Sequence, residues 1–396
     1  MSSDEIKIDY TKKEIPSGFS RLGFVLLIIG LILVILSFIT DYNRTTQNSV
    51  IIFTFLTSIS IGSLFLVALE YLAGAVWSVP FRRISEIISF IIFLIPIFAL
   101  PSLLNFHGVF HWSHPEAVAN DKLLQVKAPY LNETFFVIRN IVIFVIWWLF
   151  YIFLTGNSKK QDSTYDQSLT RKNIKISAVF MPFFGISLTI IAIDWLMSLE
   201  PHWFSTIFGV YYFAGTILSA LACLTLMVLY LNEKGLLVKG LTKDHYYSLG
   251  ALMFAFVNFW AYIAFSQFML IWYANLPEET FWFITRWQGG WSYLSYGLIF
   301  IHFVIPYAIL LPQPAKMDPF RLKLAAIIIL LAHFYDLYWL SMPSFSKDVV
   351  LFSWYEIAFP ILAIGLFITI FSIKSKKINL VPIGDPKIKR AMEFKL

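Results

Sequence analysis

Ten apolar stretches constrain this chain more than any other feature of its sequence. A helix that crosses the hydrocarbon of a bilayer needs roughly 20 predominantly apolar residues. Stretches of about that length lie at 19–40, 50–75, 84–104, 134–155, 173–198, 206–231, 245–273, 291–311, 321–342 and 349–373. We therefore predict an all-α integral membrane protein with about ten transmembrane helices, numbered 1 to 10 in chain order.

The composition agrees with this class and excludes several kinds of redox centre. The chain is 58% hydrophobic and 14% charged, whereas soluble domains are about half apolar and about a quarter charged. Its one cysteine, Cys223, lies within an apolar helix, so an internal disulfide and a Cys-ligated zinc or iron–sulfur site are excluded. No CxxCH haem-attachment motif occurs. We expect no catalytic residue, no metal site and no cofactor in this chain.

The lysines and arginines predict the orientation. If the N-terminus is cytoplasmic, 24 of the 30 basic residues fall in cytoplasmic segments, as the positive-inside rule requires. Both termini are then cytoplasmic: 1–18 is an N-terminal tail, 19–373 the ten-helix membrane domain and 374–396 a basic C-terminal tail. Segments 105–133 and 274–290 are exterior. Because basic residues are spread over every inner loop, nucleic-acid binding is not expected. Six basic residues are left outside: Arg44, Lys122, Lys127, Arg139, Arg286 and Lys347.

A short repeat links helices 5 and 9. One reads DWLMSLEPHWFS from Asp194 and the other DLYWLSMPSFS from Asp336, and a proline follows each aspartate by seven residues. Four helices separate the copies, and both run outward, as a parallel duplication of a four-helix unit requires. We predict two related four-helix bundles, helices 2–5 and 6–9, with helices 1 and 10 peripheral. Each aspartate is expected about 10 Å from the outer end of its helix.

The stretches DWLMSLEPHWFSTIFGVYYFAG at 194–215 and FIHFVIPYAILL at 300–311, with ten spans, resemble the F subunit of alternative complex III. The resemblance implies kinship with polysulfide-reductase-like (NrfD-type) membrane subunits, which have two four-helix bundles. It implies a subunit of a respiratory quinol:electron-acceptor oxidoreductase in the bacterial inner membrane.

The partners that this resemblance implies carry the redox chemistry. They are a multihaem cytochrome with haem c, an iron–sulfur protein, a sister membrane subunit associated with quinol and, as an optional partner, a terminal oxidase; lipids surround the chain. This chain would then anchor partners, with proton conduction as a further role.

Six ionisable residues within the spans form a hypothetical proton pathway, because a charged group at a helix centre costs roughly 2.5–3.5 kcal/mol and needs a reason. Arg139 and Asp194 lie near the outer ends of helices 4 and 5 and can meet, either as a structural ion pair or as a proton exit. Glu70 lies near the inner end of helix 2, where it either snorkels to headgroups or contacts water held by Thr57, Ser58, Ser60 and Ser63.

The other three pathway residues belong to the second bundle. His333 and Asp336 are three residues apart on helix 9, hence on one face, and His302 is on helix 8. We expect both histidines near the bilayer midplane, where imidazole suits a proton relay. Two alternatives stay open: histidines satisfied by hydroxyl or carbonyl partners, and bis-histidine ligation of a b-type haem.

Other polar and aromatic residues receive simpler interpretations. Glu356, early in helix 10, is expected at the lipid headgroups. We interpret His107, His111 and His114 as part of an exterior loop that packs against partners rather than as a metal site. Trp203 and Trp291 are expected in the aromatic belt at the membrane surface.

Two other functions compete with the subunit hypothesis. A stand-alone proton-coupled secondary transporter would show helix interruptions at corresponding positions of its halves, yet Pro182 and Pro306 fall on the non-corresponding helices 5 and 8. A b-type cytochrome would use the two midplane histidines.

Overall fold

The computed structural model describes residues 14–238 and 240–396, and ten of its helices are long and apolar enough to cross a membrane. The predicted all-α membrane fold with ten spans is therefore confirmed. The helices are α1 Ser17–Thr40, α2 Tyr42–Ala73, α3 Val79–Leu104, α4 Glu133–Thr164, α5 Ser168–Trp195, α6 Phe208–Glu233, α7 Lys243–Ala274, α8 Gly289–Leu310, α9 Pro319–Ser341 and α10 Trp354–Ser375.

Two helices are interrupted, and short helices lie between the spans. A 3₁₀ segment, Phe90–Phe93, interrupts α3, and a π-helical segment, Ile299–Val304, interrupts α8. The longest connection holds the short helices Phe106–Val109, His111–Ser113, Pro115–Asn120 and Lys122–Lys127. Helix Pro277–Arg286 precedes α8, and Ile388–Met392 lies in the C-terminal segment.

Capping residues explain where the helices start and stop. The Asp41 side chain accepts a hydrogen bond from the Arg44 N–H, so α2 begins well before the predicted residue 50. Gly74 ends α2 in the left-handed conformation at φ 64°. Ser353 and Glu356 form a capping box at the start of α10. The early start of α2 adds polar residues to the predicted span, of which Thr45, Thr46, Asn48 and Ser49 are buried.

The orientation of the chain stays a prediction. Residues 1–13 of the predicted N-terminal tail lie outside the described residues, and so does Lys239. Of the basic residues that support the orientation, Lys7, Lys12, Lys13 and Lys239 are therefore not described. We call the end of the bundle that carries Glu70 and residues 376–396 the C-terminal face, and the opposite end, which carries 105–132, the loop face.

Helices α2–α5 and α6–α9 pack as two equivalent four-helix units. In the first, α2 and α4 each contact both α3 and α5; in the second, α6 and α8 each contact both α7 and α9. The units meet along α2 and α6, with α5 against α6 and α9 against α2. Helices α1 and α10 pack on each other and contact α2. The packing therefore has the twofold pattern that the repeat predicts.

Small residues allow the central helices to approach closely. A Cβ atom added to Gly62 of α2 would lie 2.8 Å from the Ala220 Cβ and the Thr216 carbonyl oxygen of α6. Tyr212 Oη donates to the Thr54 carbonyl at 2.7 Å, and Thr216 Oγ1 to Ser58 Oγ at 3.3 Å. Close packing and interhelical hydrogen bonds are what hold helices together in lipid.

Glycines also set the distance between α1 and α10. A Cβ atom added to Gly30 would lie 2.4 Å from the Leu362 backbone, and one added to Gly365 would lie 2.2 Å from the Leu27 backbone nitrogen. Those neighbours are backbone atoms, which cannot rotate away. The α1–α10 pair therefore depends on glycine at these positions.

We expect Gly365→Ala to destabilise the protein by about 1–3 kcal/mol, because the new methyl group overpacks the α1–α10 contact. Gly185→Ala is the matched control, since a Cβ there meets no atom within 4 Å, and alanine favours helix over glycine by up to about 1 kcal/mol. Thermal unfolding in detergent measures both. Equal unfolding temperatures for the two variants would contradict the tight contact.

Candidate functional site

A buried cluster of two histidines and one aspartate lies in the second unit. His302 of α8 and His333 and Asp336 of α9 each offer a nitrogen or oxygen atom, and these three atoms lie within 4.8 Å of one another. All three residues are at most 1% exposed. The structure therefore brings together three of the six residues that the sequence assigns to a pathway.

Local helix geometry places the three side chains. His333 and Asp336 share a face of α9 because they are three residues apart. His302 lies inside the π-helical segment Ile299–Val304. Pro306 follows it by four residues and has no N–H to donate to the His302 carbonyl, so the regular α-helical ladder is interrupted there. Short π segments are rare and occur frequently at functional sites.

Only neutral donors contact the aspartate. Tyr211 Oη of α6 donates to Asp336 Oδ1 at 2.5 Å, and Trp260 Nε1 of α7 donates to Oδ2 at 3.2 Å. Among the described residues, no lysine or arginine forms an ion pair with Asp336. Neither donor was predicted as a site residue. Trp260 lies in the middle of α7 rather than near a membrane surface, and that position in the sequence could have identified it as a site residue.

The two imidazoles are enclosed by rings and by backbone. The His302 ring stacks on Trp260 with 3.7 Å between ring centroids. The His333 ring lies so close to Gly215 of α6 that an added Cβ would be 2.8 Å from its Cε1 atom. None of the four ring nitrogens has a hydrogen-bond partner among the described residues. Buried polar groups are normally hydrogen-bonded, so the four nitrogens are available as donors or acceptors within the cluster.

The donor atoms of the cluster are close enough together to hold a metal ion as well as to exchange protons. Each carboxyl oxygen of Asp336 already accepts one hydrogen bond, which leaves each a further lone pair. A haem between the histidines would need a slot as wide as its ring. Trp260 covers one face of His302, and Asp336 lies within 4.8 Å of both imidazoles.

The first unit treats its aspartate differently. Arg139 and Asp194 meet, as the sequence allowed: Nε and Nη2 of Arg139 donate to the two carboxyl oxygens at 3.1 and 3.0 Å. Tyr130 Oη donates to Asp194 at 2.9 Å, and its ring lies 3.8 Å from the guanidinium carbon. Burial raises the pKa of Tyr130 above its usual range, which keeps its hydroxyl as a donor. Asp194 is therefore fully paired.

The position expected for Asp194 within its helix is wrong. Helix α5 ends at Trp195, so Asp194 is in the last turn rather than about 10 Å below the helix end. A 3₁₀ turn, Met197–Leu199, continues the chain instead. Pro201 follows this turn and Pro343 lies inside the corresponding turn Met342–Ser344, so the shared spacing does not mark the end of the α-helix.

The second unit also has an arginine at the loop face, but it binds carbonyl groups. Arg286 donates to the Trp339 and Leu340 carbonyls at 3.2 and 2.7 Å, and its guanidinium lies 3.4 Å from the Trp282 ring centroid. Those carbonyls belong to the last turn of α9, where backbone acceptors lack helical partners. Burial lowers the pKa of Arg286 to about 9. Asp336 is thus left without the cation that Asp194 has.

Glu70 lies far from this cluster, in a group of buried charges at the C-terminal face. Arg82 Nη1 contacts Glu70 at 2.8 Å, and Glu70 is only 6% exposed, so snorkelling to headgroups is wrong. The hydroxyls expected to hold water, those of Thr57, Ser58 and Ser63, donate to carbonyls one turn back in α2, and Ser60 donates to Ser89 of α3. Of these hydroxyls, that of Ser58 also accepts a hydrogen bond from Thr216 of α6 at 3.3 Å.

Two further expectations are wrong. Glu356 accepts two hydrogen bonds from Arg44, at 2.8 and 2.7 Å, and is 1% exposed, so it joins α10 to α2 rather than contacting headgroups. Trp203 and Trp291 are buried instead of forming a surface belt: Trp203 stacks on Trp282 at 4.4 Å, and Trp291 Nε1 donates to the Ser346 carbonyl. Segments outside the spans cover these rings, and a hydropathy profile does not predict such contacts.

His107, His111 and His114 lie in the 105–132 connection at the loop face. His107 contacts Ser113 and the His114 ring contacts the His107 carbonyl, and both histidines are largely exposed. They do not converge with other ligands within metal-binding range among the described residues. Their role against partner proteins stays a prediction.

Comparison with known proteins adds no family. No protein-family model matches the sequence, and no curated protein matches it. What the chain does is therefore argued from its residues and from the geometry above.

Proposed function

We propose that this chain is a non-redox membrane subunit of a bacterial respiratory quinol:electron-acceptor oxidoreductase of the alternative complex III type, where it anchors partners and conducts protons. The two sequence stretches of the resemblance both contribute to the candidate site, since Tyr211 lies in one and His302 in the other. The ten-helix fold with two equivalent units agrees with the architecture that the resemblance implies.

The His302–His333–Asp336 cluster is the observation that carries the proton-conducting role. An aspartate with only neutral donors can exchange a proton without breaking an ion pair, and the two adjacent imidazoles can both give and accept one. Ionisable groups inside a membrane protein commonly mark proton relays. Glu70 at the C-terminal face would supply the cytoplasmic end, under the orientation predicted from the basic residues. Asp194, held by Arg139, contributes structure instead.

A second candidate function rests on a cavity next to the cluster. A cavity of about 640 Å³ between α7 and α8 is lined mainly by aromatic rings, with Tyr211 and Trp260 in its wall. Its volume is in the range of small-molecule sites, which favours the stand-alone proton-coupled transporter. Proton-coupled uptake by the isolated chain in liposomes would support that function over the subunit.

Purification under gentle detergent tests the subunit proposal. We expect this chain to be isolated with haem c and iron–sulfur partners, because it has no cysteine ligand for a redox centre of its own. The connection 105–132 exposes the apolar side chains of Leu123 and Val126 and is the docking surface that we propose for exterior partners. Isolation as a stable, cofactor-free monomer would contradict the proposal.

We expect Asp336→Asn to leave assembly and quinol oxidation measurable and to lower the protons moved per electron in reconstituted vesicles. Asparagine keeps the side-chain volume and an acceptor oxygen for one of the two donors, Tyr211 or Trp260, and cannot exchange the proton. Asp348→Asn makes the same chemical change on an exposed loop residue and serves as the control. Equal proton-to-electron ratios in wild type and Asp336→Asn would exclude the proton-conducting role.

Asp194→Asn is expected to act on stability instead. It leaves the Arg139 guanidinium, whose side chain is 9% exposed, without its charge partner, and removing one partner of a buried pair costs about 3–5 kcal/mol. The double variant Arg139→Gln/Asp194→Asn should recover part of the loss. Thermal unfolding of the three variants gives the coupling between the residues, and a fully stable Asp194→Asn would show that the pair contributes little.

A further inference from the structure

The His302–His333–Asp336 cluster has the donor set of a transition-metal site, although the sequence led us to expect none. Its two imidazole nitrogens and one carboxylate oxygen lie within 4.8 Å of one another. Imidazole suits zinc, copper, iron and nickel, whereas magnesium and calcium prefer oxygen ligands. A tetrahedral zinc ion with bonds of about 2.0–2.1 Å holds its ligand atoms about 3.4 Å apart. The ligand atoms would therefore have to approach one another by at most about 1.4 Å, from 4.8 Å.

The ligand atoms are buried and have lone pairs to donate. None of the four imidazole nitrogens of His302 and His333 has a hydrogen-bond partner among the described residues, and both residues are at most 1% exposed. Each carboxyl oxygen of Asp336 accepts one hydrogen bond and keeps a further lone pair. Buried polar atoms normally have partners, and a metal ion would supply a partner to each of the three side chains.

Packing and hydrogen bonds position the three ligands. Tyr211 and Trp260 donate to the two carboxyl oxygens of the cluster, which is the outer support that ligating carboxylates normally have. The indole of Trp260 also stacks on the His302 ring, with 3.7 Å between ring centroids. Gly215 leaves room for the His333 ring, since an added Cβ atom would lie 2.9 Å from its Nδ1 atom. Ligands held by such neighbours are largely positioned before an ion arrives.

The charge of the cluster agrees with a bound cation. In the part of the chain that the structure describes, no lysine or arginine pairs with Asp336. The corresponding aspartate of the first unit, Asp194, is paired with Arg139. A divalent ion would give Asp336 the positive partner that its own unit does not supply. Zinc sites with three protein ligands keep a fourth position for water or another ligand.

Two cavities lead from the loop face toward the cluster. The cavity of about 640 Å³ beside α7 has Tyr211, Trp260 and Gln267 in its wall. Gln267 also lines a second cavity, of about 350 Å³, whose wall includes Thr206 and Glu279 at the loop face. An ion that enters past Glu279 would therefore meet Gln267 and then the two residues that hold the carboxylate of the cluster.

We propose that His302, His333 and Asp336 form a binding site for a divalent transition-metal ion such as Zn²⁺. The bound ion takes one lone pair from each imidazole and one from the carboxylate, and it releases any proton that these atoms carry. A bound ion and an exchangeable proton thus exclude each other at the cluster. Binding of the ion does not rest on the proposed function, whereas its consequence, that zinc stops proton transfer through the cluster, does.

Equilibrium dialysis against zinc tests the site, with the full chain in nanodiscs and without a polyhistidine tag. We expect about one zinc ion per chain. His302→Gln and His333→Gln each remove a ligand and should weaken binding at least about 100-fold. Trp260→Phe keeps the aromatic stack and loses the N–H, so it should weaken binding roughly tenfold. His111→Gln removes an exposed histidine of the loop face and should leave binding unchanged.

The outcomes separate the metal site from the proposed function. Absence of binding to the wild type, or equal binding by wild type and histidine variants, would overturn the site. Trp260→Phe decides the matter where the histidine variants fail to fold, because an unchanged affinity in that variant also overturns it. In vesicles that contain the whole complex, bound zinc with a lowered proton-to-electron ratio supports both proposals. Bound zinc with an unaltered ratio keeps the site and overturns the proton route through the cluster.

Discussion

The contact between α2 and α6 is the interaction on which the rest of the structure depends. In a bilayer the lipid tails are as apolar as leucine, so helices are joined by close packing and hydrogen bonds rather than by exclusion of water. Gly62 lets the two backbones approach, and the Tyr212 hydroxyl bonds the α2 backbone. Each helix opens a four-helix unit, so this contact sets where α5 and α9 lie. It also brings Gly215 against His333, and the candidate site is built on it.

The two units share a plan and differ in how they treat one charge. Asp194 receives a guanidinium and a phenol, which together hold it as an anion between α4, α5 and the 105–132 connection. Asp336 accepts hydrogen bonds from a phenol and an indole, while Arg286, the arginine of its unit, donates to carbonyls at the end of α9. The two units thus place one aspartate in an ion pair and leave the other with neutral hydrogen-bond donors only.

Sequence was sufficient for features that belong to a single helix. Hydropathy located all ten spans, and distance along the helix placed Arg139 near Asp194 and His302 near His333. Features that depend on helix rotation and on distant neighbours were not predictable. The Arg44–Glu356 pair joins residues 312 positions apart. The burial of Trp203 depends on Trp282 from another connection, and the burial of Asp385 in the C-terminal segment depends on Arg82 of α3. Hydropathy compares a residue with solvent or lipid and carries no information on which neighbour covers it.

The π-helical segment of α8 changes which side of the helix its second half presents to the neighbouring helices. Trp291 and Leu310 are both fully buried, yet they are 19 residues apart, and at about 100° per residue an uninterrupted α-helix would place them about 100° apart around its axis. One surplus residue absorbs that difference, and a π segment supplies it. The face that runs through Ser295, His302 and Pro306 is therefore continuous because of a single-residue insertion. Trp291, Ser295 and His302 keep the ordinary α-helical spacing of one face, so without the surplus residue only the part of α8 beyond His302 would turn a different side to α9.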